Sequence, residues 1–242
     1  MVKLLPETSP GCDNIHPVFF KRLTDKWKVI LLQIINKLWQ EGNFPTIWKK
    51  GTAIMIPKPN KVENHHFITI LPVGGKICEI LVKERLRFAT EEANLLQDIQ
   101  TGFYRERNTV DNLIRMKRDI IHALDNGKVM NAVFLDVKGA FVNLVHRQIL
   151  EGLSKAKING NLMKFTLSYL PDRKIAVTVG QQRSEEIGVE RGVPKGTVIG
   201  PDCYNVGEID IPLKDNNCKR GIFADDNNTW IVQNTVKKYW IK

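Results

Sequence analysis

The stretch Asn131-Ala-Val-Phe-Leu-Asp-Val137 constrains the fold most, because an apolar, β-favouring run broken by one aspartate has few ways to pack. Such a run reads as a buried strand. A carboxylate is costly to bury alone, so the strand must carry Asp136 at its exposed end. A second acidic feature lies further on, where β-prone runs at 221–223 and 229–232 flank Ala224-Asp-Asp-Asn-Asn228. This predicts a hairpin with acidic residues at its turn. If strand and hairpin are antiparallel neighbours, Asp136, Asp225 and Asp226 share one rim. Clustered carboxylates repel, and the usual relief is a divalent cation that prefers oxygen, Mg²⁺ or Mn²⁺. Two such ions about 3.5–4 Å apart activate an attacking hydroxyl and stabilise a leaving pyrophosphate. Aspartate also favours turns for purely local reasons, so the pair alone leaves a solvated turn as the alternative.

Around this feature the chain reads as alternating helices and strands. A turn-rich opening at 7–14 precedes a helix over 18–39 whose apolar residues share one face. A short strand at 52–56 is closed abruptly by Pro57-Lys58-Pro59. Helices follow over 75–90 and over 109–125, the latter with Thr109 as N-cap and Asn126-Gly127 as its break. Further helices are expected over 142–156 and 162–169, and a strand over 175–179. No internal repeat, low-complexity tract or linker interrupts the pattern.

Composition narrows the partners. With 242 residues and 43% hydrophobic content the chain can bury a real core. Lys and Arg outnumber Asp and Glu by 36 to 26, a formal charge of +10, which favours a polyanion as partner without choosing between RNA, DNA and an anionic membrane. Cys12, Cys78, Cys203 and Cys218 form no Cys-x-x-Cys pair, so we expect reduced thiols and an intracellular protein, with nothing to separate nucleus from cytoplasm. The apolar run at 29–35 is too short to span a bilayer.

The order of motifs resembles the reverse transcriptases of LINE- and jockey-like non-LTR retrotransposons over nearly the whole chain. The blocks are Ser9-Pro-Gly11, Phe44-Pro45 with Trp48-Lys49, Ile56-Pro-Lys-Pro59, Leu71-Pro-Val73 with Gly75-Lys-Ile77 and Glu79, and Gln100-Thr-Gly-Phe103 with Arg107 and Thr109. Phe134-Leu-Asp-Val-Lys-Gly-Ala-Phe141 resembles motif A, Arg191-Gly-Val-Pro-Lys-Gly-Thr-Val-Ile-Gly-Pro201 motif B, and Phe223-Ala-Asp-Asp226 motif C. The resemblance implies an α+β right-hand polymerase with fingers over 1–128 and palm over 129–242, an antiparallel palm sheet with packed helices, and a chain cut off after motif C without a thumb.

It also implies roles. The reaction is RNA-templated DNA synthesis from deoxynucleoside triphosphates on a DNA primer, with two Mg²⁺ or Mn²⁺ ions. Asp136, Asp225 and Asp226 are the catalytic acids, and together with Val137 they hold the metals. The Lys138, Gly139, Ala140 and Phe141 stretch approaches the triphosphate and sugar, the Phe141 ring leaving no space for a 2′-hydroxyl. Lys58, Lys195 and Gly196 join the nucleotide site, while Arg105, Arg107, Arg191 and Gly192 meet nucleic acid. Lys49, Lys50 and Lys61 are further basic residues able to meet phosphates. Oligomeric state is left open.

Three positions depart from the family pattern. His66 stands where an arginine usually precedes proline-isoleucine, Val142 where an aspartate usually follows the motif A aromatic, and Lys195 where motif B usually has glutamine. Each removes a specific hydrogen-bonding group or charge. They keep open a relic that retains the fold and only binds nucleic acid. A viral-type RNA-directed RNA polymerase is a third reading, and Ala224 and Phe141 argue against it because that class usually has glycine before the two aspartates.

Overall fold

The computed structural model describes residues 5, 7–58, 61–95, 100–103, 107–208 and 217–234, and for 57, 58 and 61–66 the backbone only. In chain order the elements are α1 (Pro17–Lys21), α2 (Asp25–Glu41), β1 (Lys50–Lys58), β2 (Lys61–Ile70), α3 (Val73–Glu92), α4 (Thr109–Asp125) and β3 (Val129–Asp136). There follow α5 (Ala140–Asn143), α6 (His146–Lys155), α7 (Asn161–Tyr169), β4 (Arg173–Val179), β5 (Gln182–Arg183), β6 (Ile187–Val189), α8 (Gly200–Gly207), β7 (Lys219–Phe223) and β8 (Asp226–Gln233). The result is a mixed helix and sheet fold. It divides into two compact units, each drawn from two stretches of chain: Met1–Leu95 with Phe141–Glu208, and Leu96–Ala140 with Ile209–Lys242.

In the first unit a mixed sheet runs β2-β1-β4-β5, with β6 also pairing β4. β1 and β4 are parallel, and β1 and β2 form an antiparallel pair. β1 runs through Pro57, which the sequence suggested would stop it. The proline is accommodated by a register shift between Pro57 and Lys58 at the end of the pair. An aromatic cluster sits in the largely aliphatic core: Phe44 sets its ring edge against Trp48, Phe165 and Tyr169 at 5.8, 5.7 and 5.0 Å between centroids. The Trp48 indole also closes over Gly74 and Gly75 at the start of α3, where any added Cβ would meet it. The expected helix over 142–156 is broken into α5 and α6. The carbonyl of Leu144 accepts from Gly192 N at 2.7 Å, which draws it out of the helical ladder, and Val145 is extended.

In the second unit three antiparallel strands run β3-β8-β7, with α4 packed on them. The α4 cap is one residue earlier than expected. Asn108 accepts from Val110 N at 2.8 Å and Asp111 accepts from Asn108 N at 2.7 Å, a reciprocal capping box. On its inner face Asp119 accepts from Trp230 Nε1 and Lys219 Nζ at 2.8 and 2.7 Å, joining the helix to β7 and β8. Burial pulls the Asp119 carboxyl upward, but those two hydrogen bonds, with the charges of Lys219 and Arg118, hold it below its ordinary value. β3 is not the buried strand that its apolar run suggests. It is the edge of the sheet, paired among the described residues by β8 alone, and Phe134 is 70% exposed.

Candidate active site

The acidic rim is a product of strand register. β3 and β8 pair from Val129 opposite Gln233 to Asp136 opposite Asp226, so the last residue of one strand faces the first of the next. Directly opposed residues of an antiparallel pair project from the same face, which places the Asp136 and Asp226 side chains together. Phe223 pairs with Asp226 across β7 and β8, leaving Ala224 and Asp225 as a two-residue turn. Ala224 occupies the left-handed region at φ 56°, where a Cβ is strained. All three aspartates are thus within one hairpin and its neighbour, Asp136 and Asp226 exposed and Asp225 half-buried.

The donor set suits a hard cation, since every donor is a carboxylate oxygen and opposed like charges are otherwise destabilising. Among the described residues no three His, Cys, Asp or Glu side chains come close enough to enclose an ion. A recess of about 300 Å³ lies beside the pair, lined among others by Phe134, Phe223 and Asn227. After Asp136 the backbone turns through Val137, whose carbonyl accepts from Ala140 N at 3.3 Å, and through Gly139 at φ 64°. That positive φ is the conformation for which glycine is suited.

The hairpin is buttressed from behind by a segment whose role the sequence did not reveal. Gln100 bridges to Ile222, and Thr101 donates both its amide and its hydroxyl to the Ile222 carbonyl at 2.9 and 3.1 Å. Asn112 of α4 donates to the same carbonyl at 3.0 Å and to Thr101 Oγ1 at 2.9 Å. A Cβ on Gly102 would stand 2.0 Å from the amide nitrogen of Ala224. Arg107, expected at nucleic acid, donates to the Gln100 carbonyl at 2.9 Å and so braces this segment. The clue in the sequence was the Gln-x-Gly-Phe block itself, whose glycine is required by close approach.

The motif B residues lie in the first unit. Gly192 is at φ 81°, with its Cβ direction filled by the carbonyls of Phe141 and Val142, and Val193 N donates to the Phe141 carbonyl at 2.9 Å. The end of motif A is therefore hydrogen-bonded to the start of motif B. Phe141 stacks on the buried Tyr204 ring of α8 at 4.8 Å and 22°. Arg191, Lys195 and Gly196 are exposed, and a cavity of about 600 Å³ is lined by Phe67, Thr69, Val142, Arg191 and Lys195 among others. Lys195 offers its carbonyl to Thr69 N at 2.7 Å. Behind the loop, the wholly buried Glu79 of α3 accepts from the amides of Val198 and Ile199 and from the Tyr169 hydroxyl.

Several expected contacts are placed differently. Lys49 is 6% exposed, so it faces the interior rather than a phosphate, and burial pushes its ammonium below the usual lysine range. Lys50 is engaged by Glu186 at 3.0 Å. Lys138 is exposed beside Asp136. Arg105 and the side chains of Lys58, Lys61 and His66 lie outside what the structure describes. Among the described residues no helix is long and apolar enough to cross a membrane.

Known proteins are similar to this chain over most of its length. Residues 56–235 match the family model described as reverse transcriptase (RNA-dependent DNA polymerase). The chain is 33% identical over 219 residues to a probable RNA-directed DNA polymerase from transposon BS of Drosophila melanogaster, covering 87% of this chain and 24% of that protein. It is 30% identical over 214 residues to the RNA-directed DNA polymerase from mobile element jockey of Drosophila funebris, covering 87% of this chain and 23% of that one. The chain thus spans about a quarter of the curated relatives it matches. In fold it resembles telomerase from Candida albicans, with a TM-score of 0.57 at 11% identity over 85% of this chain and 41% of that one. Telomerase from Candida tropicalis gives 0.56 at 12% identity over 88% and 50%. The matched family model, the relatives and the ordered motifs converge: the chain belongs to the reverse transcriptase family of RNA-directed DNA polymerases, among those of non-LTR retrotransposons.

Proposed function

We propose that this chain supplies the nucleotidyl-transfer core of an RNA-directed DNA polymerase, with fingers from 1–128 and palm from 129–242, a functional division that cuts across both compact units. The carrying observation is the register that sets Asp136 opposite Asp226 beside a turn bearing Asp225. The 3′-hydroxyl of a DNA primer annealed to RNA attacks the α-phosphorus of a deoxynucleoside triphosphate; a P–O bond forms, the bond to pyrophosphate breaks, and the hydroxyl proton passes to water. Asp136, Asp225 and Asp226, with the Val137 carbonyl, are the residues that would hold two Mg²⁺ or Mn²⁺ ions. Bound there, such ions acidify the hydroxyl and neutralise charge on the phosphates.

The remaining residues bind and orient. The turn at 137–140 offers backbone amides and, at Gly139, room for a triphosphate. Phe141, its ring backed by Tyr204, excludes a 2′-hydroxyl by contact. By the family resemblance Lys58, Lys195 and Gly196 are assigned to the nucleotide, and Arg105, Arg191 and Gly192 to the template and primer. Primer extension on an RNA template with Mn²⁺ tests the reading: Asp136→Asn or Asp225→Asn should each abolish incorporation, and an extension rate untouched by both would end it. A second reading, nucleic-acid binding without catalysis, is favoured by Val142, which is 51% exposed where the family has an acid, and by Lys195. It is supported if the folded wild-type chain binds template and primer yet adds no nucleotide.

A further inference from the structure

We infer that Glu79 is a positioning residue for the loop at 195–199, its carboxylate fixing the backbone that presents Lys195 to the nucleotide. This assignment rests on the nucleotidyl-transfer reading and names a residue that acts on the site without touching substrate. One carboxylate oxygen, Oε2, accepts from Val198 N and from Ile199 N, the latter at 3.4 Å, while Oε1 accepts from the Tyr169 hydroxyl at 3.2 Å. Glu79 is 1% exposed, as is Arg173 of β4, whose guanidinium lies 4.1 Å from the Tyr169 ring centre and 5.7 Å from that of Phe44. Arg173 Nε, Nη1 and Nη2 have no hydrogen-bond partner among the described residues, so Arg173 acts on Glu79 through charge rather than through a bidentate fork. Burial pushes the Glu79 carboxyl up, and Arg173, the two amides and the hydroxyl oppose it.

A buried carboxylate with a cation nearby is often only a core ion pair. Here two of its three donors are main-chain amides of the motif B loop, and the other end of that loop is pinned independently. Thr69 N donates to the Lys195 carbonyl at 2.7 Å, and Gly196, at φ 118°, lies so close to the Thr69 carbonyl that a Cβ would be 2.2 Å away. The segment is therefore tied at both ends, by β2 at 195–196 and by Glu79 at 198–199, with the exposed Lys195 side chain at one tie. Releasing the Glu79 end frees the loop without removing any group proposed to meet substrate.

The test compares wild type with Glu79→Gln, which keeps size and one acceptor, and Glu79→Ala. Amide hydrogen exchange is read residue by residue, and primer extension gives KM and kcat for the nucleotide. The expected result is exchange about ten-fold faster at Val198 and Ile199 with the remainder of the first unit unchanged, since one local tie has been weakened. Nucleotide KM should rise about ten-fold in Glu79→Gln while kcat stays within about two-fold, as a loss of ground-state positioning requires. Unchanged exchange at those two amides overturns the proposal. So does exchange that rises evenly through α3, α7 and β4, which would make Glu79 a core residue only, and so does an unchanged KM despite a loosened loop. If the loop loosens as expected while wild type incorporates no nucleotide, the loop assignment stands and the catalytic reading is the one that fails.

Discussion

Ala224 carries the sharpest local conflict in the acidic hairpin. An L-residue at φ 56° sets its Cβ against its own carbonyl, at a cost of roughly 1–2 kcal/mol that glycine does not bear. Glycine loses more freedom on folding, which offsets part of the gain. Ala224→Gly should therefore stabilise the chain by about 1 kcal/mol in urea denaturation. A destabilised variant would show that the methyl group packs usefully in the turn. Gly102 carries the reverse prediction. Its Cβ direction is filled 2.0 Å away by the Ala224 amide, so Gly102→Ala must push the turn outward. It should cost about 1–3 kcal/mol and lower primer extension with it, because Asp225 follows directly on the displaced residue. Full activity with lost stability would separate the buttress from the site.

At the scale of elements, Asp119 decides how α4 holds the acidic sheet. Its carboxyl titrates lower in the folded chain than in the unfolded one, so the unfolded chain binds more protons between the two values. The contribution is complete above about pH 3.9 and is lost as pH falls through the folded value. Asp119→Asn should be less stable at neutral pH by about 2 kcal/mol and lose less on acidification below about pH 4, measured by thermal unfolding across that range. Equal acid limbs would refute the link. This helix was legible in the sequence because its apolar spacing is local, although its cap is Asn108 with Asp111 rather than the expected Thr109. The hairpin was legible for the same reason, through β-prone runs on both sides of turn formers. What the sequence hid was decided by partners far along the chain. The polar run from Lys61 gives no strand signal, yet β2 forms because β1 offers it a ladder. α8, from Gly200 to Gly207, was not expected from the sequence, and its Asp202 is bound to Arg87 of α3 at 2.6 Å. Glu79 does carry a local signal, since a lone carboxylate inside Ile77-Cys-Glu-Ile-Leu81 must find buried donors.

At the scale of the molecule, charge makes a claim independent of any single contact. The formal excess of +10 includes the acidic rim, whose three aspartates subtract from attraction to phosphate. Binding of a template–primer duplex should therefore follow counterion release, and an interface engaging about six phosphates would lose about 10³-fold in affinity between 50 and 200 mM salt. Without divalent ions, Asp136→Asn should bind as tightly as wild type or more tightly, because it removes a negative charge from the rim. With Mn²⁺ present the two should converge, since the wild-type carboxylates are then neutralised. Titrations of labelled duplex at several salt concentrations, with and without Mn²⁺, measure both effects. If Asp136→Asn weakens binding in chelator, that carboxylate serves the protein's own structure, and the rim is a surface of the fold rather than a seat for cations.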